Sequence, residues 1–231
     1  MVSGQKKNHL KFSKGKKYIN NKTVRNFIKM KIQILTSKKS WLFENKRRII
    51  LNKLKKYSKG TKFISNHKNL KKRHDVTIVL NYYKIIPKKY LNFSKHNLVV
   101  HESDLPKGRG WSPLYKQILE KKKKITFSLF EISEKMDEGH FYYKKKIFFK
   151  ENLVYEELKN KQFLHALNLI EHFLKHYKKN KKSPKKFRQD GKPTYYKAFK
   201  KEDSKIDVSK SIKSQFNRLR TVDNKKIYPE N

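Results

Sequence analysis

The most constraining feature of this sequence is a near-continuous apolar run at residues 75–80, DVTIVL. Runs of this kind are typical of strands that are buried on both faces of a parallel sheet. A second run, NLVV at residues 97–100, ends at His101, and Pro87 and a polar stretch separate the two runs. The pattern favours an α/β fold in which both runs lie in a central sheet.

The remaining periodicity predicts the elements around these two strands. Alternating β-rich residues predict strands, and apolar residues at helical spacing predict helices. The predicted strands are 31–36, 61–65, 125–130 and one within 142–149, and the predicted helices are 44–57, 113–120 and 153–177. The basic stretch 178–186 is interpreted as a solvated linker. This order predicts a Rossmann-like, mostly parallel sheet flanked by helices, with ligands at the carboxyl ends of the strands.

Charge and composition limit the classes of function. The 231-residue chain has 61 Lys and Arg against 19 Asp and Glu, a net charge of +42, which ordinarily indicates a polyanionic partner. The excess is mostly Lys spread along the whole chain, so we interpret it as a compositional bias. The absence of Cys excludes disulfides and thiolate chemistry and fits a cytoplasmic location. Because no apolar run reaches about 18 residues, we expect no membrane contact.

Two segments carry residues suited to chemistry. His101 ends a buried strand and is followed by a loop rich in Gly and Pro, at the edge of the sheet where function often resides. The second segment is the acidic turn Asp137-Glu138-Gly139 between two strand-like runs. Taken alone, a single His is more often an ordinary polar residue, and an Asp before a Gly usually marks a turn.

Together the two segments resemble the formyltransferase family, whose members transfer a one-carbon unit from 10-formyltetrahydrofolate to an amine. The turn at residues 137–139 is similar to the family's Asp-x-Gly turn, and YKIIP at 83–87 is similar to its folate-pocket strand end. The tail, with TYY at 194–196, EDSKID at 202–207 and FNRLR at 216–220, looks like the post-catalytic segment of sugar-nucleotide formyltransferases. The family's His-x-Ser-x-Leu-Pro loop followed by Arg-Gly is matched by His101, Ser103, Leu105, Pro106, Arg109 and Gly110.

The resemblance implies a role for each matched residue. His101 and Asp137 would be catalytic, the first exchanging protons near neutral pH and the second orienting it, stabilising its charged form or relaying protons through water. The loop residues 103–110 would shape the site or meet an anionic part of the acceptor, with a surface-solvated Arg109 as the alternative. No metal is implied. The residues that would flank the pterin of the folate co-substrate are Lys84, Ile85, Ile86, Met136, Glu138 and Gly139.

One position departs from the family pattern. The family has an Asn two residues before its catalytic His, where this chain has Val99. That Asn would donate a hydrogen bond to the oxygen that becomes negative as the amine adds, and loss of such a donor costs about 2.7–4 kcal/mol. Asn81, Asn97 or a backbone N–H of residues 108–110 could take over the role. Otherwise the enzyme is slow or inactive.

The sequence leaves two hypotheses for the molecule that carries the acceptor amine. The tail and the short length favour an amino sugar linked to a nucleotide, whereas initiator methionyl-tRNA is the alternative that the positive charge allows. The tRNA enzymes carry a further β-barrel domain, for which the chain leaves no room. A hypothesis from another functional class is that the chain is an inactive, basic, RNA-associated protein on a formyltransferase scaffold. The sequence gives no indication of the oligomeric state.

The expected domain plan has three parts. Residues 1–29 form a basic extension, either a disordered tail or an upstream extension of the reading frame that would make Met30 the functional start. Residues 30–180 form the catalytic domain. Residues 181–231 form a short C-terminal appendage, whose abrupt end indicates that a final strand or two is missing.

Overall fold

The computed structural model describes residues 29–58 and 60–223, and its centre is a six-stranded mixed sheet in the order β2-β1-β3-β4-β6-β7. Strands β2, β1, β3 and β4 are parallel, whereas β6 and β7 are antiparallel to their neighbours. The six strands are β1 Ile32–Leu35, β2 Lys62–Ile64, β3 His74–Val79, β4 Ser94–His101, β6 Lys124–Glu131 and β7 Phe141–Phe148. Two short strands, β5 Arg109–Gly110 and β8 Tyr195–Tyr196, pair separately. The predicted α/β, mostly parallel architecture is confirmed.

Among the described residues, six α-helices accompany these strands, and their bounds correct two predictions. They are α1 Trp41–Asn45, α2 Arg47–Leu54, α3 Lys88–Leu91, α4 Pro113–Leu119, α5 Tyr155–Asn180 and α6 Ile212–Leu219. The predicted single helix 44–57 was wrong, because two helices occupy this region. Ser40 caps the first by accepting a hydrogen bond from the Leu42 amide, and the helix is interrupted at Lys46. The predicted linker 178–186 begins too early, because α5 continues to Asn180 and ends where Lys181 adopts a left-handed φ of 58°.

Both faces of the sheet are covered, which explains the near-continuous apolar runs. The larger core lies between the sheet and helices α2, α4 and α5, and it includes Leu98 of β4. A smaller cluster of Leu35, Ile64, Leu70, Val79 and Ile86 covers the other face, with Val99 packed against it. Because successive strand side chains point to opposite faces, Val99 and His101 share the face away from α5.

The C-terminal segment returns across the main body after α5. Phe187 pairs with Phe141 through two backbone hydrogen bonds, and β8 runs parallel to β5. Farther on, the buried Arg220 donates to the carbonyl oxygens of Lys150 and Leu153. Residues 181–223 therefore contact both the sheet and the loop that precedes α5, although the proposed division at residue 180 stays a prediction.

The predictions for residues 1–28 and 224–231 lie outside the described residues. Met30 is described: it is buried, and its amide donates to the carbonyl oxygen of Tyr57 at 2.9 Å. No helix in the described part of the chain is long and apolar enough to cross a membrane.

Candidate active site

His101 lies at the carboxyl end of β4 and is 8% exposed. Its Nε2 lies 2.8 Å from the carbonyl oxygen of Gly108. A carbonyl can only accept, so Nε2 carries the hydrogen of this bond. In the neutral form of the ring, the lone pair that can take up a proton is therefore on Nδ1.

Asp137 reaches His101 from the long turn between β6 and β7. The turn leaves the sheet where the Ile132 amide donates to Asn97 O, four residues before His101 on β4, and then folds back toward the strand end. Asp137 adopts a left-handed φ of 53°, which Asp tolerates better than most residues. Its Oδ2 lies 3.7 Å from His101 Nε2. The structure thus brings together the two residues that the motifs single out.

A backbone group from β5, or from Gly108 directly before it, binds each of these side chains. The Gly108 carbonyl holds His101, and the Gly110 amide donates to Asp137 Oδ2 at 2.8 Å. Gly110 has a φ of 97°, and a Cβ there would lie 2.5 Å from the carbonyl oxygen of Tyr196. Only glycine fits this close approach, which gives a physical reason for the Arg-Gly pair of the motif.

Arg109 lies between these two glycines and points inward. It is 7% exposed, so the expectation of a surface-solvated Arg109 is not met. Its Nη1 donates to Glu138 at 2.9 Å and its Nη2 donates to Gln189 at 2.8 Å. Arg109 Nε and Ser103 Oγ are buried without a hydrogen-bond partner among the described residues. Two polar atoms of the loop are therefore left for water or a ligand.

The other loop residues of the motif pack the loop against the sheet. Leu105 is fully buried and forms a cis peptide bond with Pro106. Ser128 Oγ donates to the carbonyl oxygen of Ser103 at 2.6 Å, which fixes the loop to β6. These contacts place the loop against the sheet.

The two predicted folate-flanking segments differ in exposure. Ile86 is buried in the smaller cluster, whereas Lys84 and Ile85 are exposed. Met136 is half exposed. Gly139 packs so tightly that a Cβ would lie 1.6 Å from the carbonyl oxygen of Glu131. Ile85 and Met136 thus offer apolar surface on the two segments.

The structure separates the two candidate replacements for the missing Asn. Asn97 donates its side-chain amide to Leu91 O at 2.8 Å, and it lies about 13 Å from His101 along β4, four residues at the usual strand rise. Asn81 lies two residues after the last residue of β3 and has a φ of 46°. Two residues beyond the Val79–Val99 pair lie Asn81, past the end of β3, and His101, at the end of β4. The side-chain amide of Asn81 has no hydrogen-bond partner in the described part of the chain.

Sequence reasoning missed the buried carboxyl group of Glu102. Burial raises the pKa of this carboxyl, although the charge of His101 and a hydrogen bond from Gln162 lower it in part. The Glu102 carbonyl oxygen accepts from Gln117 at 2.6 Å. The available signal was a Glu directly after the end of a buried strand.

An exposed aromatic pair lies one residue from the site loop. The rings of Tyr83 and Trp111 are nearly parallel, with an interplanar angle of 14° and centroids 6.3 Å apart. Tyr83 is 59% exposed and Trp111 is 42% exposed. Since Trp111 follows Gly110, the pair lies at the rim of the site and offers aromatic faces to solvent.

Among the described residues, no group of three or more His, Cys, Asp or Glu side chains could hold a metal ion. The pairing of His101 with Asp137 can support proton transfer by an imidazole beside a carboxylate.

A family model and several known proteins match this chain in sequence. The family model described as formyl transferase matches residues 16–169, beginning within the segment interpreted as an extension. The chain is 31% identical over 157 residues to the methionyl-tRNA formyltransferase of Sulfurihydrogenibium sp., covering 68% of this chain and 49% of that protein. It is 31% identical over 168 residues to that of Thermosipho africanus, covering 72% and 51%. The chain thus spans about half the length of these relatives.

Solved structures with the same fold include enzymes for two kinds of acceptor. The methionyl-tRNA formyltransferase of Clostridium thermocellum has a TM-score of 0.66 at 23% identity, with 84% of each chain covered. An N-formyltransferase of Helicobacter canadensis, in complex with folinic acid and dTDP-3-aminofucose, has a TM-score of 0.63 at 15% identity, covering 83% of this chain and 80% of that chain. At these identities the likeness shows the fold alone.

Proposed function

Because this chain belongs to the formyl transferase family, we propose that it transfers the formyl group of 10-formyltetrahydrofolate to an amine on a nucleotide-linked sugar. The observation that carries the proposal is the pairing of His101 and Asp137, whose Nε2 and Oδ2 atoms lie 3.7 Å apart at the carboxyl end of β4. Ligands in α/β folds collect at such strand ends.

The proposed reaction forms a bond from the acceptor nitrogen to the formyl carbon and breaks the bond from that carbon to the folate nitrogen. The neutral imidazole of His101 takes up the proton that the attacking amine loses, and the same proton then reaches the departing folate nitrogen. The Asp137 carboxylate stabilises the imidazolium that exists between these steps. Positioned acid–base groups of this kind contribute rate factors of about 10²–10⁴.

In this proposal, the folate lies between residues 84–86 and 136–139. Ile85 and Met136 supply exposed apolar contacts, and the turn that carries Met136 also carries Asp137. Binding of the co-substrate would therefore be linked to the position of the catalytic carboxylate.

Asn81 is the proposed donor to the developing oxyanion. Val99, at the family's Asn position, has no donor and packs against the smaller apolar cluster. Asn81 lies at the equivalent end of the neighbouring parallel strand, and its amide is uncommitted among the described residues. A neutral amide in this place would replace the hydrogen bond that Val99 cannot make.

The aromatic pair at the rim supports an acceptor that carries a nucleobase. A base stacked on the exposed faces of Tyr83 or Trp111 would gain about 1–3 kcal/mol. The tail similarity to sugar-nucleotide formyltransferases points to the same class of acceptor. The amino sugar would then extend from the nucleotide toward His101.

Initiator methionyl-tRNA is the second candidate acceptor. It is favoured by the methionyl-tRNA formyltransferases among the sequence relatives and by the net charge of +42, which attracts phosphates. Its 3′ end also carries a base that could stack on the same aromatic pair.

The test incubates the full chain with 10-formyltetrahydrofolate and, separately, a panel of nucleotide amino sugars and charged initiator tRNA. Mass spectrometry of each acceptor detects the added formyl group, and His101→Ala protein is the matched control. Formylation of an amino sugar supports the proposal, and formylation of the tRNA alone replaces it with the second candidate. Salt-dependent RNA binding without folate binding or formylation would identify an inactive scaffold.

A further inference from the structure

The segment that follows α5 braces the candidate active site through one side chain, Gln189. Its Nε2 donates to Asp137 O at 2.8 Å and to Gly139 O at 2.7 Å. Its Oε1 accepts from Arg109 Nη2 at 2.8 Å. We propose that Gln189 is a positioning residue, which fixes the turn of Asp137 against β5 and thereby sets the separation of Asp137 from His101.

The turn requires such a tether because of its length and shape. It spans residues 132–140 between β6 and β7, and it folds back along β4 to reach His101. Gln189 holds the two carbonyl groups on either side of Glu138, while Arg109 binds the Glu138 side chain. The backbone on both sides of Glu138 is therefore fixed relative to β5.

The same C-terminal segment also fixes β5. The Gly108 amide donates to Thr194 Oγ1 at 2.8 Å, and the Arg109 amide donates to Thr194 O at 2.9 Å. The Trp111 amide donates to Tyr196 O at 3.0 Å. These contacts leave the Gly110 amide for Asp137 and the Gly108 carbonyl for His101.

The chemistry of the position calls for an amide. A side chain at 189 must donate to two carbonyl oxygens and accept from a guanidinium, which only a neutral amide of this length does. Glutamate would keep the contact with Arg109 but would place a carboxylate against two carbonyl oxygens. Leucine would remove all three hydrogen bonds at nearly constant size.

Gln215 provides a matched control within the same segment. It is buried, whereas Gln189 is partly buried, and it too makes three hydrogen bonds, to Asp207 N, Asp207 O and Lys210 O. None of them involves the site. A purely structural effect of losing three glutamine hydrogen bonds should therefore be at least as large in Gln215→Leu as in Gln189→Leu.

The first measurement is hydrogen exchange at the Gly110 amide, which donates to Asp137 Oδ2. We expect exchange to accelerate by about tenfold or more in Gln189→Leu and Gln189→Glu, and to stay near the wild-type rate in Gln215→Leu, because local opening then depends on the turn. Unchanged exchange at Gly110 in both Gln189 variants would overturn the proposal. This readout needs no turnover, so it separates failure of the positioning role from failure of the proposed function.

The second measurement rests on the proposed function and uses formyl transfer. We expect kcat to fall by about tenfold in Gln189→Leu with little change in the KM for the acceptor, since the residue touches no substrate. In an Asp137→Ala background the same substitution should cost less than about twofold, because both changes act through one carboxylate. Losses that multiply independently in the double variant would contradict a role that acts through Asp137.

Discussion

The Gly110 amide donates to Asp137 Oδ2 at 2.8 Å, and the same oxygen lies 3.7 Å from His101 Nε2. The carboxylate is thus oriented by backbone on one side and faces the imidazole on the other. The interaction of Asp137 with the imidazole depends on the charge of the carboxylate, whereas the hydrogen bond from Gly110 requires only an acceptor. Substitutions at Asp137 can therefore separate orientation from electrostatics.

Asp137→Asn should lower kcat by about 10²-fold, because the amide oxygen can still accept from Gly110 but no longer stabilises an imidazolium. The measurement is steady-state formyl transfer with Asp137→Ala for comparison. The thermal midpoint of Asp137→Asn should stay closer to wild type than that of Asp137→Ala. Wild-type turnover in Asp137→Asn would remove the charge from the mechanism.

Asn81→Ala should lower kcat by about 10²–10³-fold, the usual effect of losing one oxyanion donor. Asn97→Ala is the control, since its amide is bound to Leu91 O and its loss should affect stability with little effect on turnover. In the Asn81→Ala background, Val99→Asn should recover part of the rate by restoring the family's donor. Equal turnover in wild type and Asn81→Ala would exclude Asn81 as the donor.

How far the sequence predicts this site depends on how local each signal is. The apolar pattern of residues 75–80 is local, so the sheet could be predicted, and the contiguous loop after His101 carries the family resemblance that implied a role for His101 and Asp137. Gln189 could not, because its importance lies in contacts with Arg109 and with a turn 50 residues earlier. Glu102 shows the same limit, since the strand pattern does not reveal that its carboxyl is enclosed by other elements.

Gly110→Ala should destabilise the fold and reduce turnover. The added Cβ would meet Tyr196 O at 2.5 Å, and a φ of 97° is unfavourable for alanine. Gly191→Ala is the control, because Gly191 has a φ of 100° but nothing within 4 Å of the added Cβ. The strained φ costs about 1–3 kcal/mol at either position. Chemical denaturation measures the free energy of unfolding, and any further decrease in Gly110→Ala relative to Gly191→Ala measures the clash. An equal free energy of unfolding in the two variants would contradict the close approach.

Glu102 and Glu171 should give opposite dependences of stability on pH. Burial raises the pKa of Glu102. At Glu171 burial is outweighed by Lys53 and Lys56, which lower the pKa from 4.5 to about 2. A raised folded-state pKa costs stability as pH rises above the unfolded value, whereas a lowered one adds stability that is lost as pH falls from 4.5 toward 2.

Glu102→Gln should therefore increase the free energy of unfolding at pH 7 relative to wild type, and the gain should shrink toward pH 4. Glu171→Gln should decrease the free energy of unfolding at pH 7 and flatten its fall in acid. Denaturant unfolding at a series of pH values measures both. Parallel pH profiles for the two variants would show that the carboxyl groups do not differ in this way.

Trp111→Ala should raise the KM for a nucleotide-linked acceptor by about tenfold with little change in kcat, because stacking of a base is worth about 1–3 kcal/mol and does not involve the reacting atoms. Trp111 is half exposed, so the substitution removes little packing from the core. Trp111→Phe keeps an aromatic face and should retain most of the affinity. The KM for 10-formyltetrahydrofolate serves as the internal control: a rise confined to the folate would show that the rim pair stacks on the co-substrate, and an unchanged KM for both would exclude Trp111 from binding.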